Sequence, residues 1–85
     1  MSDLVLANLE SLEGTVTTAT TLTLTRKSRK IIITNDHATN SLSYKFNSSE
    51  TYATLKGTET LSILFSTNQI IIDGTSVPYR IWVYG

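Results

Sequence analysis

Hydrophobic and polar residues alternate with a period of two over most of this chain, and this alternation predicts β-strands. The last strand predicted in this way, residues 79–84, divides into two sets of opposite parity: Tyr79, Ile81 and Val83 against Arg80, Trp82 and Tyr84. Successive side chains of a strand point to opposite faces of a sheet. Both faces of this strand therefore carry large apolar or amphipathic side chains.

The same alternation predicts six or seven strands in all. Residues 16–24 read as one long strand, because Val16, Leu22 and Leu24 share a parity. Residues 31–35 and 42–46 are predicted to form a hairpin with a long polar loop. The remaining predicted strands cover residues 52–55, 61–65 and 70–72.

Composition favours β structure throughout the chain. Fifteen threonines and ten serines accompany many isoleucine, valine and tyrosine residues, which suit a pleated, half-buried surface. Short strands separated by turn signals predict an all-β protein, a small antiparallel β-sandwich or barrel of Greek-key or jelly-roll type. Residues 15–85 are assigned to this domain. Residues 1–14 are expected to form an N-terminal arm or a short helix, since their leucines fit both periods.

Charge and cysteine content narrow the classes of partner. Seven basic side chains balance seven acidic ones, so no global field favours nucleic acid or an anionic membrane. The chain contains no cysteine, which excludes disulfides and thiolate chemistry. No secretory signal or membrane span is predicted, and we expect a soluble, unprocessed protein.

Candidate catalytic residues are few. His37 is the only histidine, and a catalytic triad or metal site would have to be built around it. Asp73 begins a "DGTS" sequence that indicates a turn, and Glu59 has no evident acidic partner. The sequence therefore predicts no catalytic residue, cofactor or metal, and a protein that is not an enzyme.

Two groups of residues are candidates for an interface. The first is the basic turn "RKSRK", which contains Arg26, Lys27, Arg29 and Lys30. These cations could bind an acidic protein face, or they could be a solvated turn that discourages edge-to-edge pairing of sheets. The second group is Arg80, Trp82 and Tyr84 on the final strand. A domain of this size buries a limited share of its apolar surface by itself, so association with another chain would cover that face. The alternative is that the same face is the inner face of the sandwich.

Four stretches resemble small β-sandwich structural proteins of tailed bacteriophages, most closely capsid decoration or cement proteins. They are "RKIIITND", "NSLSYKFN", "YATLKGTETL" and "IIIDGTSVPYRIW", and together they cover about two-thirds of the chain. In such proteins a strand ending in Asn, a polar loop, a "Y-x-x-L-x-x-G-E"-like turn and a "P-Y-R-I-W"-like strand follow in that order. Here Thr58 separates Gly57 from Glu59, so the turn departs from the family pattern by one residue.

The resemblance implies a non-enzymatic component of the phage particle, assembled in the host cytoplasm. It implies a homotrimer that binds the major capsid protein and an N-terminal segment, with Leu4 and Leu6, that reaches a neighbouring subunit. A tail, neck or baseplate accessory protein is an alternative, because such proteins use similar sandwiches. A third alternative is a carbohydrate-binding module in which Trp82, Tyr84 and Tyr79 form a stacking platform.

Overall fold

The computed structural model describes residues 9–85, which form eight β-strands in two antiparallel four-stranded sheets. The strands are β1 (Leu9–Val16), β2 (Thr20–Thr23), β3 (Lys30–Asn35), β4 (Leu42–Lys45), β5 (Ala53–Leu55), β6 (Thr60–Leu64), β7 (Gln69–Asp73) and β8 (Val77–Tyr84). The prediction of an all-β fold is confirmed, with eight strands in place of six or seven. Within residues 9–85 no helix has the length and apolarity needed to cross a membrane.

The order of the strands identifies the architecture. Sheet 1 has the order β1-β8-β3-β6, and sheet 2 has the order β2-β7-β4-β5. Among the described strands, only β4 and β5 are neighbours both along the chain and in a sheet, and every other connection crosses between the sheets. Two packed four-stranded sheets connected in this way are a jelly roll. The predicted sandwich of jelly-roll type is therefore confirmed.

Two local predictions are wrong because strands that follow each other along this chain mostly lie in different sheets. The predicted hairpin of residues 31–35 with 42–46 does not form, since β3 pairs with β6 and β8 while β4 pairs with β5 and β7. The predicted single strand 16–24 is divided between the sheets. Sheet 1 ends at Val16 on this segment, and the chain enters sheet 2 at Thr20.

Part of the segment expected as an arm belongs to sheet 1. Strand β1 begins at Leu9 and pairs antiparallel with β8, from Leu9 opposite Tyr84 to Val16 opposite Val77. The boundary at residue 14 therefore falls inside a strand. Residues 1–8, including the interface candidates Leu4 and Leu6, lie outside the described residues.

The core lies between the inner faces of the two sheets. Sheet 1 contributes Ile31, Ile33 and Ile81, and sheet 2 contributes Ile70 and Ile72, all of them fully buried. Burial of one such side chain stabilises the folded state by about 1.5–3 kcal/mol. The alternation assigned to residues 79–84 is confirmed, because the parity set that includes Ile81 faces this core. The set that includes Trp82 faces outward, which excludes the alternative that it forms the inner face.

A buried asparagine connects the two sheets at one end of the sandwich. Asn35, fully buried at the end of β3, donates from Nδ2 to the carbonyls of Asn40 at 2.8 Å and Leu55 at 3.0 Å. Its Oδ1 accepts the backbone N–H of His37 at 2.9 Å. Since each polar group of the side chain has a partner, its burial is compensated. The loop between β3 and β4 is thereby held against β5.

Candidate interaction surface

The solvent-facing side of sheet 1, called the outer face below, presents three rows of side chains across its four strands. In the strand order β1, β8, β3, β6, the rows are Leu9, Tyr84, Lys30, Leu64; then Ser11, Trp82, Ile32, Ser62; then Glu13, Arg80, Thr34, Thr60. Leu64 is 79% exposed and Leu9 is 40% exposed. Trp82, Tyr84 and Ile32 are half-buried. One side of one sheet therefore carries five large apolar or aromatic side chains.

Arg80 is fixed on the outer face by an ion pair with Asp36. Its Nε donates to Oδ2 of Asp36 at 2.7 Å, and its Nη2 donates to Oδ1 at 3.0 Å. The hydrogen bonds to Asp36 raise the pKa of Arg80 above its ordinary value, so the guanidinium remains charged. Its Cζ lies 5.6 Å from the ring centroid of Trp82, which is within cation–π range. The outer face therefore offers a positioned cation beside its largest aromatic ring.

A shallow groove runs beside this aromatic ring, between β1 and β8. It has a volume of about 330 Å³ and is lined by Ser11, Leu12, Glu13, Arg80 and Trp82. Its lining combines an acid, a base and an aromatic ring. Two of these residues, Trp82 and Arg80, are of types enriched at protein-binding surfaces.

The basic turn, residues 26–30, links β2 to β3 and is anchored by its middle residue. Ser28 is 1% exposed, and its Oγ donates to the carbonyl of Phe65 at 2.6 Å. The same Oγ accepts the backbone N–H of Thr67 at 3.0 Å. Arg26, Lys27 and Arg29 are exposed around this anchor. The turn is therefore held by buried hydrogen bonds while its cations face solvent.

The basic turn adjoins the outer face. The backbone N–H of Arg29 donates to the carbonyl of Tyr84 at 2.6 Å, and Lys30 lies opposite Tyr84 in the first row. A Cβ atom added at Gly85 would lie 3.0 Å from Cδ of Arg26, so the Arg26 side chain packs against the last described residue. The two groups of interface candidates, which are separate in the sequence, thus form one continuous surface.

Three residues of the outer face were missed by sequence reasoning. Ile32 lies beside Trp82, but it belongs to a run of three isoleucines in which no alternation is visible. Leu9 fits a helical and a strand period equally. For Leu64 a signal existed, because it shares its parity with Ser62 on a strand whose other parity is apolar.

The candidates for catalysis serve as local structural supports. Nδ1 of His37 accepts the backbone N–H groups of Thr39 at 3.0 Å and Asn40 at 2.9 Å. Oε1 of Glu59 accepts the backbone N–H of Lys56 at 2.8 Å and closes the turn before β6. Across residues 9–85 there is no group of three or more His, Cys, Asp or Glu side chains that could hold a metal ion.

The "DGTS" sequence forms the predicted turn, in which Oδ1 of Asp73 accepts the N–H of Gly74 at 2.8 Å. An open polar groove of about 520 Å³ lies beside it, lined by Asn40, Ser41, Ser43, Asp73, Gly74 and Thr75. The three-ring platform considered for carbohydrate does not form. Tyr79 is 9% exposed on the inner side of β8, opposite to Trp82 and Tyr84.

Comparison with known proteins identifies the fold. No protein-family model and no curated protein matches the chain. Among solved structures, FeII HppE is similar with a TM-score of 0.60 and 10% identity, over 93% of this chain and 44% of that one. An RmlC-like cupin protein from Desulfovibrio desulfuricans has a TM-score of 0.59 and 10% identity, over 91% and 72% of the two chains. A cupin-2 domain-containing protein from Shewanella frigidimarina has a TM-score of 0.57 and 9% identity, over 89% and 69%. The chain therefore has a jelly-roll β-sandwich fold similar to that of these cupin structures.

These neighbours correct the prediction that the protein is not an enzyme. The fold is shared with HppE, a metalloenzyme, so an enzyme is compatible with this architecture and the lack of a recognisable catalytic motif does not exclude one. The described residues do not fit the FeII of that neighbour, however. The one imidazole of the chain, on His37, already accepts two backbone N–H groups at Nδ1, and the space between the sheets is filled by side chains such as Ile31 and Ile72.

Proposed function

We propose that this protein is a protein-binding structural component of a phage particle, a capsid decoration protein that binds the capsid lattice and further copies of itself. The observation that supports binding is the outer face of sheet 1. It joins Trp82, Ile32 and Leu64 on one surface with the cations of the basic turn.

The residue types of this surface suit a protein partner. Trp, Tyr and Arg are the types enriched at binding hot spots, where they combine large buried area with hydrogen bonding. Leu64 is 79% exposed, so a partner that covers it would bury apolar surface that the described part of the chain leaves in water. A jelly roll is also an architecture of viral capsid domains, of lectins and of cupins, so the fold is compatible with several functions. The assignment to a phage particle rests on the sequence resemblance.

The two parts of the surface have different partners in this proposal. The basic turn, with its exposed Arg26, Lys27 and Arg29, binds an acidic face of the major capsid protein. The apolar rows of the outer face bind another copy of the chain. The protein acts in the virion and joins it during assembly in the host cytoplasm. The resemblance implies a trimer, and sedimentation distinguishes a trimer from a dimer.

Particle binding tests the proposal. Particles of the phage that encodes this chain are prepared with the gene deleted, incubated with the purified protein and sedimented. We expect saturable binding by the wild type and weaker binding by the double variant Lys27→Gln/Arg29→Gln. The variant Lys56→Gln, which changes an exposed lysine remote from the basic turn, is the matched control and should bind as the wild type does. The proposal would be refuted if wild-type particles lack the protein and gene-deleted particles do not bind it when it is added back.

A further inference from the structure

The outer face of sheet 1 has a repeated pattern about its midline, the line between the central strands β8 and β3. In the first row the two edge positions are Leu9 and Leu64, and in the second row they are Ser11 and Ser62. The two central positions of the second row, Trp82 and Ile32, are both large and apolar. Three of the four pairs of positions at equal distances from the midline in these two rows are therefore chemically alike, and the fourth pairs Tyr84 with Lys30.

From this pattern we infer that a second copy of the chain covers the outer face, related to the first by a two-fold axis that runs along the midline, parallel to the strands. The inference rests on the proposed function, since it names the partner of the same surface. Such an axis places β1 of one copy against β6 of the other, and β8 against β3. Leu9 then meets the partner's Leu64, and Trp82 meets the partner's Ile32.

An interface of this kind is self-complementary. A two-fold contact uses the same patch on both subunits, so each pair occurs twice. The opposed second rows match apolar with apolar and hydroxyl with hydroxyl, because Ser11 lies against the partner's Ser62. The opposed first rows match leucine with leucine at the edges and place Tyr84 against the partner's Lys30. A two-fold axis perpendicular to the strands would instead place Leu9 over the partner's Glu13. The axis parallel to the strands is therefore favoured.

The charges of the face agree with pairing of identical copies. The three rows of the outer face and the adjoining Asp36 carry two cations, Lys30 and Arg80, and two anions, Glu13 and Asp36, while the other cations of the basic turn lie beyond the first row. The rows themselves are therefore neutral and do not repel a second copy, and repulsion is confined to the basic turns, which lie at the same end in both copies. Each Arg80 keeps its ion pair with Asp36 at 2.7 Å, so the two guanidinium groups that approach near the axis are already compensated.

The area available predicts a dimer of modest affinity. Four strands about 4.8 Å apart and three rows about 6.6 Å apart give a face of about 400 Å² per copy. Two such faces bury on the order of 1,000 Å² once the uneven surface of their side chains is included. This area lies at the lower limit for specific interfaces. We therefore expect dissociation constants in the micromolar range, and dimers that are observed at tens of micromolar protein.

Site-specific cross-linking tests the arrangement directly. The chain has no cysteine, so single thiols can be placed at will. Two variants are made, Ser11→Cys and Ser62→Cys, both at exposed positions on opposite edge strands of sheet 1. Each variant alone, and an equal mixture of the two, is treated with a short bis-maleimide. We expect the cross-linked dimer in the mixture at a yield at least about tenfold above either variant alone, because only the mixed dimer brings the two thiols together.

Two exposed positions on the other sheet provide the matched control. Thr21→Cys and Thr54→Cys lie on the opposite edge strands of sheet 2, and their mixture should cross-link no more than each alone. Cross-linking of Ser11→Cys with itself would overturn the parallel axis. Equal yields in the Ser11/Ser62 and Thr21/Thr54 mixtures, or a wild type that sediments as a monomer or a trimer at tens of micromolar, would overturn the inference as a whole. Particle binding is measured separately, so failure here is distinguishable from failure of the proposed function.

Discussion

The outward sides of the two sheets differ although the sheets have the same number of strands and pack on the same core. The outward side of sheet 2 consists of Thr21, Thr23, Ser43, Lys45, Thr54, Gln69, Ile71 and Asp73. Among these strand residues the one large apolar side chain, Ile71, is 8% exposed and lies between Thr21 and Lys45. Nζ of Lys45 in turn lies 4.3 Å from the ring centroid of the half-buried Tyr52. On sheet 1, by contrast, Leu64 is 79% exposed and Trp82 and Ile32 are half-buried.

This difference distinguishes the side chains that the fold requires from those that it does not require. A sheet in a sandwich needs one apolar face, and sheet 2 shows that mainly polar side chains suffice on the other. The additional apolar side chains of sheet 1 are therefore not required by the fold. We infer that they serve contact with another protein. Substitutions on the outward side of one sheet can therefore be compared with substitutions on the other.

The largest effect is expected for Trp82→Ala. Truncation of a hot-spot tryptophan costs on the order of 2–4 kcal/mol of association, so self-association should weaken by at least about 30-fold. Thr21→Ala on sheet 2 should leave it unchanged. Analytical ultracentrifugation measures the dissociation constants, and circular dichroism checks that the β signature is retained. Equal constants for the two variants would show that Trp82 is not part of the contact.

A smaller effect is expected for Ile71→Thr, and it concerns folding stability rather than association. Because the domain itself covers Ile71, the substitution should lower the free energy of unfolding by about 1–2 kcal/mol through loss of buried apolar area. Self-association should not change. Urea unfolding and sedimentation are measured on the same preparation. Weaker association with unchanged stability would mean that a partner, rather than the domain, covers this side.

The same substitution on the other sheet, Ile32→Thr, should mainly weaken association and should affect stability less. Ile32 is half-buried in the monomer, and we expect it to be covered further by the second copy. Association should weaken by about tenfold, which corresponds to about 1.4 kcal/mol. Stability should fall by less than for Ile71→Thr. If Ile32→Thr instead lowers the unfolding free energy more than Ile71→Thr does, the contrast between the two sides is wrong.

Residue alternation predicts which side chains of a strand face outward. It does not predict which strands pair with one another. Alternation correctly assigns Ile81 and Trp82 to opposite sides of β8, because the period of a strand is a local property. The pairing of strands is not local. In this jelly roll β1 pairs with β8 and β2 with β7, so the hairpin expected from neighbouring strands was wrong.

The candidate surface shows the same limit. Trp82, Tyr84 and the basic turn were identified as separate groups from residue type alone. That Lys30 lies opposite Tyr84, and Ile32 opposite Trp82, depends on the register of β3 with β8. No feature of a run of three isoleucines indicates which of them faces outward. Register had to be observed before the groups could be joined into one surface.

The smallest effect separates the two partners by their response to salt. The basic turn is exposed, and raising the ionic strength from about 50 mM to about 500 mM shortens the Debye length from roughly 14 Å to roughly 4 Å. Particle binding through Arg26, Lys27 and Arg29 should therefore weaken several-fold. Self-association through the outer face should not weaken, because the rows of that face balance their charges and depend on apolar burial. Sedimentation of the protein alone and with particles, across this range of salt, measures both. Parallel loss of both interactions would show that one electrostatic contact accounts for them, and that the apolar rows of sheet 1 have no separate partner.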